Sequence, residues 1–260
     1  MNKTAIEWCD YTVNPVKGLC PIGCPYCYAR RMYKRFKWNP RQHYDAASWL
    51  GLGSLRNPSR IFVGSTYELF GEWVNPRYLE LCIETAREFP IHTFIFLTKK
   101  PENLIKWSPF PDNCWVGVSV TANGDMTNAY YGLSRVETPV RFISFEPLLG
   151  QIGMDDHVNI KSWVDWVIIG AQTPYSKKTA PRIEWVKEIV EAADKAGIPV
   201  FLKDNLAKLF SDSLNPFPVW AFKDGCYTDE THPYVDLNMR QEFPNKHPAK
   251  SGVVIEAEHE

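Results

Sequence analysis

The sequence predicts an α/β fold, a partial TIM-type (β/α)6 barrel of parallel strands followed by a C-terminal extension. Three observations point there. Short β-rich runs recur along the chain with helical or turn-rich stretches between them, which is the pattern of parallel βα units. These runs are nearly continuous in apolar residues instead of alternating, as strands covered on both faces are. The chain has 260 residues, 45% of them apolar and 14% aromatic, enough for a sizeable core and too hydrophobic for disorder. Barrels of about 250 residues form single domains.

The elements follow in order. A first strand is expected near 7–13, from its place before a cysteine-rich loop. Six clearer runs lie at 61–65, 93–98, 115–120, 141–146, 166–170 and 199–203. Asn75-Pro76 supplies an N-cap followed by proline at the first helical position, and Leu79, Cys82, Ile83 and Ala86 then fall on one stripe. Pro181 opens another helix, in which Ile183, Val186, Ile189, Val190 and Ala193 line one face before Gly197 stops it. Barrel and cluster loop (20–27) thus occupy 1–204. After about residue 205 the rhythm is lost among Pro, Asp, Asn and aromatic residues, so 205–260 is expected to be an extension packed on the barrel, with a mobile acidic tail from about Lys250.

Every strand run ends in, or leads straight into, a polar residue: Ser65 and Thr66, Thr98 and Lys99, Ser119 and Thr121, Glu146, Gln172, and Lys203 with Asp204. Parallel strands would bring all of them to one rim, where α/β barrels place their chemistry. The charge balance, 29 basic against 30 acidic residues, excludes a uniformly basic nucleic-acid coat but allows a local basic face. No stretch approaches the roughly 18 apolar residues of a membrane span, and no signal peptide opens the chain, so a cytoplasmic protein is expected.

Seven cysteines, three of them within eight residues, do not form a secreted disulfide framework and fit a reducing compartment. The cluster is Cys20-Pro21-Ile22-Gly23-Cys24-Pro25-Tyr26-Cys27, or C-x3-C-x2-C in a Pro- and Gly-containing loop. Three soft sulfur donors this close can present themselves to one metal centre. A structural zinc site wants a fourth ligand at comparable spacing, which the sequence lacks, so the loop suits an iron–sulfur cluster with one open iron or a catalytic zinc with a water ligand. Cys9, on the expected first strand, and Cys82, Cys114 and Cys226 read as packing residues.

C-x3-C-x-aromatic-C, with Tyr26 as the aromatic, placed between a first strand and a βα series, resembles the radical S-adenosylmethionine superfamily. Most of the chain resembles, within it, a little-characterised family common in phages and prophages, through residues 4–15, the cysteine loop with Tyr28-Ala29, and the stretches 96–101, 116–120, 144–148 and 197–203. Two loops depart from that family's pattern: Gly170-Ala171-Gln172-Thr173-Pro174 stands where a Gly-Glu-Ser-Gly-like turn is usual, and Thr66-Tyr67-Glu68 where an acidic residue is usual after the second strand. The resemblance implies that Cys20, Cys24 and Cys27 hold a [4Fe-4S] cluster, that S-adenosyl-L-methionine chelates the open iron, and that its reductive cleavage, with an electron from a flavodoxin or ferredoxin, yields a 5'-deoxyadenosyl radical that takes hydrogen from a substrate. It further implies Tyr26 near the adenine, main-chain groups of Gly64, Ser65 and Thr66 at the methionine amino group, Ser119, Thr121 and Glu146 on ribose or carboxylate, and Lys99 on the methionine carboxylate. Lys99 and Glu146 are the catalytic candidates, with an ion pair between them as the alternative.

Directly after the loop, residues 30–41 hold six basic side chains, Arg30, Arg31, Lys34, Arg35, Lys37 and Arg41, three aromatics and no acid. On one helix Arg30, Lys34, Lys37 and Arg41 would share a side. Cations interleaved with aromatics make a phosphate-and-base surface, or else a solvated helix whose cationic stems cover apolar surface. In position only, this resembles radical enzymes that act on nucleic acids, such as spore photoproduct lyase. The expected substrate is a nucleobase, nucleotide or modified DNA. The alternatives are a peptide or small metabolite, and a non-catalytic zinc-loop module.

Overall fold

The β-branched and aromatic runs pair side by side into one sheet, and the amphipathic stretches between them cover it. The computed structural model describes residues 1–154, 159–212, 219–222 and 239–245. In chain order the elements begin with β1 (Asn2–Lys3), β2 (Tyr11–Val13), β3 (Val16–Lys17), α1 (Tyr28–Phe36), β4 (His43–Tyr44), β5 (Arg60–Val63), α2 (Pro76–Glu88) and β6 (Thr93–Thr98). There follow β7 (Cys114–Ser119), α3 (Met126–Leu133), β8 (Val140–Phe145), β9 (Trp166–Ile169), α4 (Ile183–Ala196), β10 (Val200–Leu202) and α5 (Ala207–Asp212). The result is a mixed α/β fold on a mostly parallel eight-stranded sheet of order β1-β2-β5-β6-β7-β8-β9-β10. Only β1 runs antiparallel. The sheet is open, with β1 and β10 at its two ends, and β3 and β4 form a separate small ribbon.

Alternation along each strand sends successive side chains to opposite faces. Ile61, Val63, Phe94, Phe96, Val116, Val118, Ile143 and Phe145 join the stripe residues of α2 and α4 in one core. Their sequence neighbours Phe62, Ile95, Trp115, Phe142, Trp166, Ile168 and Phe201 form a second core with Trp8 on the other face. Both faces are therefore dry, which is why the strands read as continuous apolar runs. The Asn75 side chain caps α2 by accepting from the Arg77 N–H at 3.0 Å, with Pro76 at the first turn. The helix announced by Pro181 begins two residues later, with Arg182 as its N-cap, and ends at Gly197.

The first strand is shorter than expected. Of residues 7–13 only Tyr11–Val13 pair in the sheet. Residues 6–9 turn instead, the Cys9 N–H donating to the Ile6 carbonyl at 3.2 Å. The turn buries Trp8 in the second core, and Cys9 precedes the strand instead of lying on it.

Part of the expected extension lies against the sheet. Residue 241 bridges Phe201 in antiparallel fashion, the Leu202 N–H donates to the Arg240 carbonyl at 2.8 Å, and the Trp166 indole donates to the Glu242 carbonyl at 2.8 Å. Phe243 packs 5.5 Å from Trp166 and 5.3 Å from Phe201, and the Arg60 guanidinium sits 3.8 Å above its ring. Edge strand β10 is thus covered rather than offered to a second chain. Cys226 and the tail beyond Lys250 lie outside the described residues. Among the described residues no helix is long and apolar enough to cross a membrane.

Candidate functional site

At the C-terminal ends of the strands the second core gives way to a cavity of about 240 Å³. Two residues above the aromatic layer, the same alternation places Ser119 of β7 and Ser144 of β8 side by side in register. One residue past their strands come Glu146, Gly170 and Lys203. The cavity is bounded by Ser119, Ser144, Glu146, Lys203, Phe62 and Leu97 from the sheet, by Trp8, and by the cysteine loop. The hydroxyls of Ser119 and Ser144 and the indole N–H of Trp8 are buried and have no hydrogen-bond partner among the described residues. Native interiors rarely leave such atoms unpaired, and an unfilled ligand position is one reason they do.

Lys203 is the buried cation of the site. Its ammonium donates to Glu146 Oε1 and lies 3.6 Å from Glu7 Oε2. Burial pulls its pKa down, but the two carboxylates together outweigh burial and hold it above the ordinary lysine value. The pair forms because β9 contributes Gly170 between them: a Cβ there would stand 2.9 Å from Lys203 Cδ and 3.4 Å from Glu146 Cδ. Glu146 is thus paired, as one reading of the rim expects, but with Lys203 and not with Lys99. Lys99 lines the same cavity, half-buried, and has no carboxylate partner among the described residues.

The Thr66-Tyr67-Glu68 stretch after β5 carries an acid of its own. Glu68 is buried, and its carboxylate accepts from the Phe70 N–H at 3.0 Å, the Thr98 hydroxyl at 2.6 Å and the Lys99 N–H at 2.8 Å. This ties the loop after β5 to the end of β6. Gly64 opens that loop at φ +82°, with Leu69 packed where a Cβ would be, 2.7 Å away. Ser65 and Thr66 are held by Asn14 Oδ1, which accepts from both hydroxyls at 3.2 and 3.0 Å and from the Thr66 N–H at 3.0 Å. All three residues line the cavity. Thr121 does not: its hydroxyl and N–H both donate to Asp125, at 2.9 and 2.8 Å, ending β7 with a local turn.

Cys20, Cys24 and Cys27 all border the cavity, and all three also line a void of about 20 Å³ behind it. Cys27 stands at the N-cap of α1. Burial raises the Cys20 pKa. The Tyr26 phenol is pushed up as well, first by burial and then by the neighbouring Cys24. Among the described residues no group of three Cys, His, Asp or Glu side chains converges as a ready-made metal site. As a donor set the loop fits a thiophilic centre: three sulfurs from eight residues, facing one space, with the loop braced by an Arg30 hydrogen bond to the Cys20 carbonyl at 2.8 Å. Cys9, Cys82 and Cys114 are buried in the two cores, and burial drives the Cys9 pKa up to about 12.

The basic segment is helical only to Phe36. Lys37 adopts φ +51° and ends α1, so Lys37 and Arg41 leave the helix and do not share a side with Arg30 and Lys34. The chain turns there because Trp38 folds back, its ring 5.5 Å from Phe36 and nearly parallel, and 5.3 Å from Tyr33. Phe36 and Trp38 remain 52% and 44% exposed, with Arg35 5.3 Å above the Phe36 ring. Arg31 reaches back to the cavity, donating to the Thr173 carbonyl at 3.2 Å.

A family model described as "Protein of unknown function (DUF5131)" matches residues 3–211. The chain belongs to this family. The matched span takes in every residue that bounds the cavity and stops short of the 239–243 segment that seals the opposite end of the inner face. No curated protein and no solved structure matches the chain.

Proposed function

We propose that this member of the DUF5131 family is a radical S-adenosyl-L-methionine enzyme of the cytoplasm whose fold is a partial (β/α)6 barrel. The observation that carries the reading is that the C-x3-C-x2-C cysteines border one cavity at the C-terminal ends of parallel strands. A [4Fe-4S] cluster with S-adenosyl-L-methionine supplies, when bound, one-electron cleavage of the sulfonium to a 5'-deoxyadenosyl radical that takes hydrogen from a substrate. In this reading Cys20, Cys24 and Cys27 are the ligands, and Tyr26 packs beside them. Lys99, a cation with no carboxylate partner at the cavity wall, serves the methionine carboxylate. The braced turn of Gly64, Ser65 and Thr66 shapes the amino-group end. Glu146 and Ser119 supply hydrogen-bonding groups on the substrate side of the cofactor, and Thr121 takes no part because Asp125 occupies it. A flavodoxin or ferredoxin supplies the electron.

The substrate class in this reading is a nucleobase, nucleotide or modified DNA. Arg31, hydrogen-bonded to Thr173 at the cavity wall, and on the same segment Lys34, Arg35 and the exposed Phe36–Trp38 pair support it through phosphate attraction and stacking. Anaerobic reconstitution tests the enzyme class: about four irons and four sulfides per chain, with 5'-deoxyadenosine formed on reduction, are expected. Cys24→Ala abolishes both and Cys82→Ala neither. Stoichiometric zinc with no cleavage overturns the reading. DNA binding that weakens with salt and with neutralisation of Arg31, Lys34 and Arg35 tests the substrate class.

A further inference from the structure

The inner end of the cavity holds more polar chemistry than the proposed cofactor residues use. Ser144 is fully buried, Trp8 is 1% exposed and Ser119 5% exposed, and each has a buried polar atom beside the cavity with no partner among the described residues. Beside them Lys203 is 8% exposed. It stands between Glu146 and Glu7, so that end of the cavity carries two carboxylates against one ammonium. The second Glu146 oxygen accepts no hydrogen bond among the described residues, and Lys203 has a third proton beyond its two carboxylate partners.

Three features limit what fits. An excess of negative charge in a buried end disfavours a phosphate or carboxylate there. Phe62 and Leu97 supply apolar wall, suited to a flat ring. Lys203 and Glu146, in direct contact, present a donor immediately next to an acceptor, and the complement of that pair is a carbonyl next to a ring N–H. Such a cyclic amide edge is carried by hypoxanthine, guanine, uracil and thymine. Adenine has no ring N–H on its pairing edge.

We propose that the inner end of this cavity, at Lys203, Glu146, Ser119, Ser144 and Trp8, is a subsite for the cyclic amide edge of a heterocycle, bound base-inward with any phosphate toward Arg31 at the mouth. The assignment deepens the nucleobase reading above and rests on it for the identity of the ring, but not on the iron–sulfur chemistry. It also gives Lys203 a role as a recognition residue that orients Glu146.

The test compares ligands with and without the ring N–H. Inosine, N1-methylinosine and adenosine are titrated calorimetrically into the full chain, free of iron and of S-adenosyl-L-methionine, and uridine and 3-methyluridine into a parallel sample. The proposal expects each free N–H nucleoside to bind at least tenfold more tightly than its N-methyl partner, and inosine at least tenfold more tightly than adenosine. In Glu146→Ala, shown folded by its thermal transition, the preference falls to less than threefold. Equal affinities within each pair, adenosine binding as tightly as inosine, or no binding of any nucleoside at millimolar concentration overturns the proposal. Because the ligand pairs need no variant, misfolding of Glu146→Ala leaves the test intact. Failure to assemble a cluster would refute the radical reading and leave these expectations standing, whereas cluster assembly and sulfonium cleavage without the amide preference would refute this proposal alone.

Discussion

One face of the sheet carries two opposed halves. At the N-terminal ends of the strands Trp115, Phe142, Trp166 and Phe201 fill the space, Phe243 covers them, and the Trp166 indole finds the Glu242 carbonyl. Two to four residues further along β7, β8 and β10 come Ser119, Ser144, Glu146 and Lys203, and buried hydroxyls are left without partners among the described residues. Backbone and register do not change between the halves. What changes is whether the interior is finished by the protein's own atoms, and in the reading proposed above the unfinished half is the one that takes a ligand.

The largest break in this contrast is Trp166→Ala. It removes a fully buried ring from contact with Trp115, Phe142, Phe201 and Phe243. A loss of about 3–5 kcal/mol is expected in urea unfolding, with the cysteine loop unchanged in composition and reach. A loss below about 1 kcal/mol would mean that the lower half is not a packed core.

Lys203→Met comes next. Removing the ammonium leaves Glu146 and Glu7 facing each other at an end of the cavity where all three side chains are largely shielded. The expected loss is about 3 kcal/mol at neutral pH. Its pH dependence has a definite sign. The folded pKa of Lys203 lies above the ordinary value, so its contribution is complete below about pH 10 and is lost as pH rises through the folded pKa. Thermal unfolding of wild type and Lys203→Met should therefore run parallel from pH 7 to about 10 and converge above it. Parallel curves to pH 12 would remove Lys203 from the charge network.

Much of this was legible in advance. Apolar runs with polar ends gave the positions of β5 to β10, and the C-x3-C-x2-C spacing gave three residues that share a cavity. The partner of Glu146 was not legible. Lys99, just after β6, and Lys203, just after β10, each stand two strands from β8, so strand order alone does not choose between them. The choice is made by register and by what stands between: Lys203, Gly170 and Glu146 each follow a paired strand end at one level and Gly170 leaves room for a contact, whereas Lys99 stands at the level of Ser119 and Ser144 and Glu68 ties its backbone elsewhere. Glu68 itself gave no signal beyond its place in an atypical loop, because its partners are an N–H two residues on and groups 30 and 31 residues away. The end of α1 escaped notice for a related reason. Lys37 is a good helix former by composition, and it is the stacking of Trp38 on Phe36, a contact and not a propensity, that turns the chain.

Asn75→Ala is a control of intermediate size, distant from both halves. It deletes the side-chain acceptor at the start of α2 and should cost about 1 kcal/mol without altering ligand binding.

The smallest expected effect is the most discriminating. Ser144→Ala removes a fully buried hydroxyl that has no partner among the described residues. A buried hydroxyl left unpaired costs about 1–3 kcal/mol, so replacing it with hydrogen should leave stability unchanged or raise it by up to about 1 kcal/mol. The same substitution at a satisfied serine would destabilise by a similar amount, so the sign of the change is the measurement. A stabilised Ser144→Ala that binds inosine more weakly would show a group kept for the ligand at the fold's expense. A destabilised variant would show that the hydroxyl is already satisfied in the free protein, and the upper half would then differ from the lower one in composition but not in kind.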